Sequence, residues 1–356
     1  MKKTLAVQAL PTFLVLDPNT GKVLIRWVGG ATLPQFQRLL EDGLLAFDGR
    51  AGKGSPADQA LVRADGLYGQ ADYAGAAAAY REALAAAPAE WPRYGRSVES
   101  LLFSLQTTEK FEDAAKLARE AFPRLRRTVS AANLAATGLD CALSLPPDHP
   151  DRRELADTLE AWTREVAADT TLEMAADDRS GVYIGLLTAR QEAKDSVGAH
   201  AVAEQWADFL ESAAVKARTP EERAVFDSHR MSAYGELGRY ERAIPMLQAS
   251  ERDLPGDYNP PARLSVVYRN LKSWDEALAA SDRALKLAYG PRKLGMLSNR
   301  AEIYVGMADT SAAVKTLNDA LGEAAALPAD QQPARTVAAF KKRIQTLQGG
   351  SAAPAK

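Results

Sequence analysis

The sequence predicts a mainly α chain: a long stack of helix pairs headed by a short strand, strand and helix unit. Three observations predict it. Tyr240 and Trp274 stand 34 residues apart, each followed at the third position by alanine (Ala243, Ala277) and at the tenth by a small residue (Ser250, Ala284). A fixed period of this length is the signature of stacked helical hairpins. Through residues 58–348, apolar residues recur at three- and four-residue spacing, as on a helix with one buried face. Near the amino terminus, Thr12 to Leu16 and Val23 to Val28 are instead β-rich runs separated by turn formers.

Composition narrows the function classes. Lys plus Arg number 44 against 46 Asp plus Glu, a net charge of −2, so there is no electrostatic footprint for nucleic acid or anionic membranes. The single cysteine, Cys141, allows neither an intramolecular disulfide nor a Cys-x-x-Cys pair nor a thiolate zinc cluster. No stretch approaches the length of a membrane span. Met1, Lys2, Lys3 and the run Leu5 to Leu16 have the outline of a secretion signal, but Gln8 and Pro11 interrupt the run and Asp17, Pro18 and Asn19 follow it. The chain as given is therefore expected in the cytoplasm, and in the periplasm if a signal segment precedes Met1.

Residues 1–48 form the first unit. Thr12 to Leu16 is apolar, Asp17, Pro18, Asn19, Thr20 and Gly21 make the turn, and Val23 to Val28 returns as a second strand. Pro34 suits a helix first turn, and Phe36, Leu39, Leu40, Gly43, Leu44 and Phe47 follow at helical spacing. Val7 to Phe47, through Pro11-Thr12, Asp17-x-x-x-Gly21 and Trp27-Val28-Gly29, resembles the carboxy-terminal half of a thioredoxin domain. The resemblance implies a cis Pro11, with Leu10 and Pro11 at a substrate-facing edge; no nucleophile carries over, because no cysteine precedes Pro11. Phe13, Leu14, Val15 and Leu16 are apolar on both faces, as in a strand covered on two sides. One helix covers one face only, so the missing half of the fold, the solenoid or a second molecule is expected to cover strand 12–16.

Residues 49–57 read as a linker. Gly49, Gly52, Lys53, Gly54 and Ser55 lack the Gly-x4-Gly-Lys-Ser/Thr spacing of a phosphate loop. The solenoid then occupies 58–348. Ala71, Asp72, Tyr73, Ala76, Tyr80, Ala83, Leu84 and Pro88 open it, and Phe111, Ala114, Ala118 and Phe122 repeat the pattern after a step of 38 from Tyr73. Between Thr128 and Ala217 periodicity alone predicts two hairpins, one placing Leu134, Gly138, Cys141 and Leu145 against Leu155, Leu159, Trp162 and Val166. Thr219-Pro220 starts the next helix; Leu237 to Pro255, Trp274 to Leu285 and Tyr304 to Leu321 carry the last units. Ala334 to Leu347 closes the stack, and 349–356 is expected to be a disordered tail. The aromatic, small, small and breaker slots of Tyr240 to Pro255 resemble the tetratricopeptide repeat.

That resemblance implies a concave groove lined by the first helix of each pair. Its register assigns Ser228, Ser232 and Glu236; Arg263, Val266, Arg269 and Asn270; and Ser298, Asn299 and Glu302 to the groove. Ser232, Val266 and Glu302 stand where a carboxylate clamp of this family wants asparagine or neutral donors, so no such clamp is expected. Arg263 and Arg269 are placed to hold an acidic side chain of a peptide. His149, His200 and His229 lack metal-ligand spacing, Cys141 lies on an apolar stripe, and the tryptophans read as plugs between helices. The reading is a non-catalytic scaffold for a protein or peptide partner, with no cofactor, metal or catalytic residue. Its alternative is a shortened thiol-disulfide oxidoreductase or chaperone-redoxin with its redox motif upstream of Met1.

Overall fold

A computed structural model describes residues 11–49, 54–329 and 331–349. Val7, Leu10, Gly52, Lys53 and the tail 350–356, and with Leu10 the Leu10–Pro11 bond, lie outside the described residues. The chain divides into two compact units, Met1–Val202 and Ala203–Lys356.

Asp17 shapes the hairpin that heads the first unit. Its carboxylate accepts the Asn19 amide at 2.8 Å and the Thr20 hydroxyl at 2.7 Å, closing the turn between β1 (Thr12–Leu16) and β2 (Val23–Val28). The strands pair antiparallel from Thr12 opposite Val28 to Leu16 opposite Val23, with one irregularity at Val15/Leu16. Strand alternation places Phe13, Val15, Ile25 and Trp27 on one face, and α1 (Leu33–Gly49) covers it with Leu39 and Ala46. Phe13 and Phe36 meet edge to face at 5.6 Å.

The other face of β2 docks on the first solenoid helix, α2 (Pro56–Gly69). Arg26 is buried and donates to the Gly69 carbonyl at 2.9 Å. Gly69 is required here, because a Cβ would stand 2.9 Å from Val23 Cγ1. Asp42 of α1 adds ion pairs at 2.8 Å to Arg93 and to Arg96. The solenoid thus covers the second face at β2. β1 stays an edge strand with Leu16 exposed, and the outer side of α1 carries an exposed stripe of Leu33, Leu40, Leu44 and Phe47.

The first unit continues with α3 (Tyr73–Ala86), α4 (Tyr94–Thr107), α5 (Phe111–Leu125), α6 (Val129–Leu143), α7 (Arg152–Ala168) and α8 (Ala176–Glu192). Small residues let the helices approach: Ala64, Ala76, Ala83, Ala114 and Ala118 are fully buried. Aromatic rings fill the wider gaps, as where Phe122 stacks on Trp162 at 4.4 Å. Cys141 is buried in the same core, and burial, then Asp140, pushes its thiol up to about 12. The stripe Leu134, Cys141 and Leu145 and its counterpart Leu155, Leu159 and Val166 are all buried.

In the second unit, α9 (Ser196–Lys216, which begins in the first) contributes Trp206 and Leu210 to the core. Pro220 starts a helix as expected, with Thr219 capping it, but that helix stops at Ala224 (α10) and restarts as α11 (Asp227–Glu236). A 3-10 turn, Tyr240–Arg242, precedes α12 (Ala243–Asp253). Then come α13 (Asn259–Asn270), α14 (Trp274–Leu287), α15 (Arg292–Gly306), α16 (Thr310–Ala326) and the closing α17 (Ala334–Gly349).

One turn geometry joins most helix pairs. Ala71, Glu109, Lys194, Gly238, Lys272 and Ala308 all have φ between 55° and 66°. At each, the next amide donates back five residues, as Asp72 to Leu67, Asp195 to Arg190 and Asp309 to Tyr304. Lys194 carries this turn into the stretch where the sequence shows no motif.

Candidate functional site

The first helices of the pairs, α2, α4, α6 and α8, lie side by side and form the inner face of the first unit. β2 runs across that face. At one end Val23 packs on Gly69 of α2; at the other, Gly30 is so close to Ala175, just before α8, that a Cβ would stand 2.8 Å from it. The strand therefore roofs the groove, and beneath it is a cavity of about 200 Å³. Arg26, Trp27 and Val28 form the roof. Tyr68, Phe103 and Leu102 supply apolar walls, and Arg96, Glu99, Ser100, Asn133, Thr137 and Asp178 supply the polar ones.

The polar groups are held by connected bonds. Arg96 donates to both oxygens of Asp65 at 2.9 and 3.0 Å, Tyr80 donates to Asp65 at 2.7 Å, and Asp42 pairs with Arg96 from α1. Burial opposes the Arg96 charge, but Asp65 and Asp42 outweigh it and hold the guanidinium above its usual range. Tyr80 is pushed well up by burial, then by Asp65, and stays a hydrogen-bond donor. Glu99 accepts from the Asn133 amide at 2.8 Å. Burial raises it above the usual carboxylate range in spite of Ser130, Asn133 and Arg96. Burial, then the negative charges of Glu99 and Asp177, pushes Asp178 up to about 7.

This cavity is not where the sequence register placed the groove. The predicted residues lie on α11, α13 and α15, which also run side by side. Several of them are already committed. Glu302 is held at both oxygens by Arg343 of α17, at 2.9 and 2.8 Å. Asn270 donates to its own helix at the Val266 carbonyl, and Asn299 bonds to the buried Ser265 hydroxyl at 2.9 Å. Arg263 lowers its pKa through burial, against Asp227 and Asp257, and lines a shallow hollow with Glu221 and Asp253. Arg269 and Ser228 are half-buried and Ser232 is exposed, each without a hydrogen bond or ion pair among the described residues. Pro11 lies next to β1, where its carbonyl accepts from Gly29 at 3.0 Å.

Sequence reasoning passed over Arg26, Glu99, Asn133 and Asp178. One signal was present: Glu99 and Asn133 are 34 residues apart, so equivalent positions of successive inner helices carry a matched acceptor and donor. Asn299 and Ser265 repeat this at the same separation. The roof over them depends on a docking that no local pattern encodes.

No family model matches the chain, and no curated protein matches it. Among solved structures, the chain is similar to a tetratricopeptide repeat protein from Parabacteroides merdae, with TM-score 0.51 and 10% identity over 83% of this chain and 100% of that one. It is similar also to a signal transduction ATPase (STAND) protein with a tetratricopeptide repeat sensor from Pyrococcus horikoshii, with TM-score 0.50 and 15% identity over 91% of this chain and 48% of that one, so it spans about half of that protein. At these identities the likeness is one of fold. The chain is mainly α, a tetratricopeptide-type solenoid with a small two-stranded sheet at its amino-terminal end.

Proposed function

We propose that this chain is a non-catalytic scaffold that holds a segment of a partner protein on its inner helix faces. The observation that carries the reading is the roofed cavity on α2, α4, α6 and α8. Its walls combine fixed aromatic groups with polar groups held in place by ion pairs, the composition of a pre-formed recognition site. In the second unit, Ser228, Ser232, Arg263, Arg269, Asn270, Asn299 and Glu302 remain the groove set, with Arg269 as its uncommitted cation. Among the described residues no helix is long and apolar enough to cross a membrane.

The test places a photo-crosslinking residue at Ser100 under the roof, at Arg269, and at Arg153, whose side chain is 93% exposed on an outer helix. Capture of one polypeptide in cells from Ser100 or Arg269, and not from Arg153, supports the reading. Equal capture from all three, or none from the inner positions, refutes it.

A second reading concerns the same hairpin. The open edge of β1 and the apolar stripe of α1 favour a thioredoxin-like half domain whose remaining surface is covered by further chain or by a second molecule. Mass spectrometry of the native amino terminus decides it: peptides from upstream of Met1 containing Cys-x-x-Cys support the redox alternative, and translation from Met1 removes it.

A further inference from the structure

The charges that line the roofed cavity are equal in number but unequally satisfied. Two guanidiniums, Arg26 and Arg96, and two carboxylates, Glu99 and Asp178, line it. Arg96 is taken by Asp42 and Asp65, and Arg26 gives Nη2 to the Gly69 carbonyl. Glu99 accepts from the Ser130 side chain and from the Asn133 amide, with no cation in hydrogen-bond contact. Asp178 makes no hydrogen bond or ion pair among the described residues, yet it sits at the far end of the roof, where a Cβ on Gly29 would lie 3.5 Å from its Oδ1. Asp178 thus opens into a half-open cavity with no partner, and Glu99 with neutral hydrogen-bond donors only, an arrangement that disfavours both charges.

We propose that this cavity receives a protonated primary amine of the partner, a lysine side chain or a free amino terminus. The inference rests on the scaffold reading and names the group that its site recognises. A volume of about 200 Å³ equals about seven waters at ~30 Å³ each, enough for one alkylammonium chain. Tyr68 and Phe103 line the space for its methylenes and offer aromatic surface to its charge. Glu99 and Asp178 accept two of the three ammonium hydrogens, and the Thr137 hydroxyl is available for the third. The ammonium supplies the cation that Glu99 and Asp178 lack in hydrogen-bond contact. Asp177, exposed on the first turn of α8, adds to the attraction from outside.

The test uses the full chain and titration calorimetry at low salt, with phosphate as buffer because Tris is itself a primary amine. The probes are acetyl-Gly-Lys-Gly-amide, the same peptide with Nε-acetyl-lysine, and Gly-Ala-Gly-amide with a free amino terminus. The lysine peptide is expected to bind at least tenfold more tightly than its acetylated form. Asp178→Asn and Glu99→Gln are each expected to weaken it about tenfold, with the far-UV spectrum unchanged. At pH 7 the binding releases protons, because a bound ammonium drives Asp178 to ionise; this is read on the unaltered protein by repeating the titration in a tertiary-amine buffer of larger ionisation enthalpy and comparing the heat with that in phosphate. Tighter binding of Gly-Ala-Gly-amide than of the lysine peptide assigns the amine to a chain terminus. Equal binding of lysine and acetyl-lysine peptides, no binding of either amine, or no proton release overturns the proposal. If amines fail while Ser100 still captures its partner, this inference falls and the scaffold reading stands.

Discussion

Asp178→Asn is expected to stabilise the protein, and to do so only where the carboxyl would ionise. In the folded chain Asp178 is pushed from 3.8 up to about 7, by burial first and then by Glu99 and Asp177. Below pH 3.8 both states carry the proton, and the group costs nothing. Between there and pH 7 the unfolded chain ionises while the folded chain does not, so stability falls as pH rises. Above pH 7 the cost levels off, and a shift of this size corresponds to at most ~4 kcal/mol. Water entering the cavity lowers that ceiling, and we expect about 2 kcal/mol of stabilisation by asparagine at pH 8 and about none at pH 4. Urea unfolding in phosphate or acetate, read by tryptophan fluorescence, measures the difference; carboxyls away from the site cancel between variant and parent, and relief of Glu99 and Asp177 acts in the same direction as the loss of the Asp178 charge. A gain equal at both pH values, or a loss at pH 8, would refute the account of Asp178 as a buried carboxyl without a partner. The same variant is predicted to lose amine binding, so stability and recognition are opposed at one atom group.

The shared turn gives a mirrored pair of variants. Gly238 has φ 66° and open space where a Cβ would go, so Gly238→Ala is expected to cost about 1 kcal/mol from backbone alone, and Ala308→Gly, at φ 60°, to gain roughly 0.5 kcal/mol, both by thermal unfolding. Asp42→Asn removes a buried partner of Arg93 and Arg96, and should raise hydrogen exchange in β2 and α1 with a loss of about 2 kcal/mol in the first unit. Cys141, buried with its thiol up at about 12, is expected to stay unmodified by a thiol reagent at pH 8 until denaturant is added.

The helix pairs were legible because their code is local. The spacing that predicted Tyr240 and Trp274 as plugs also fixed the small positions Ala243, Ala277 and Ala284, all of them buried. The stretch 128–217 was legible only as periodic apolar stripes, since Lys194 occupies the turn that Gly238 marks with a recognisable residue, and the turn after α6 is built from Pro146 and Pro147 instead. The groove assignment does not include the cavity residues for a different reason. It followed the repeats that match best, and those are the ones whose polar positions are used by the stack itself, as Glu302 by Arg343 and Asn299 by Ser265.

A residue that serves packing leaves little for a ligand, so the site is better sought where the repeat pattern is broken from outside. In the first unit that break is β2. Laid across the inner helices from Gly69 to Ala175, it buries Arg26, closes the groove over Glu99, and brings Gly29 against Asp178. Each of these residues follows the rules of its own element: Arg26 alternates within a strand, and Asp178 suits the first turn of a helix, where negative charge is favoured. Only their juxtaposition is costly. A hairpin that merely capped the stack would gain from apolar residues at Glu99 and Asp178. An unpartnered Asp178 beside a Glu99 held only by neutral donors makes sense when a cation arrives from elsewhere, and that is why the recognised group is proposed there and not on the better-matched repeats.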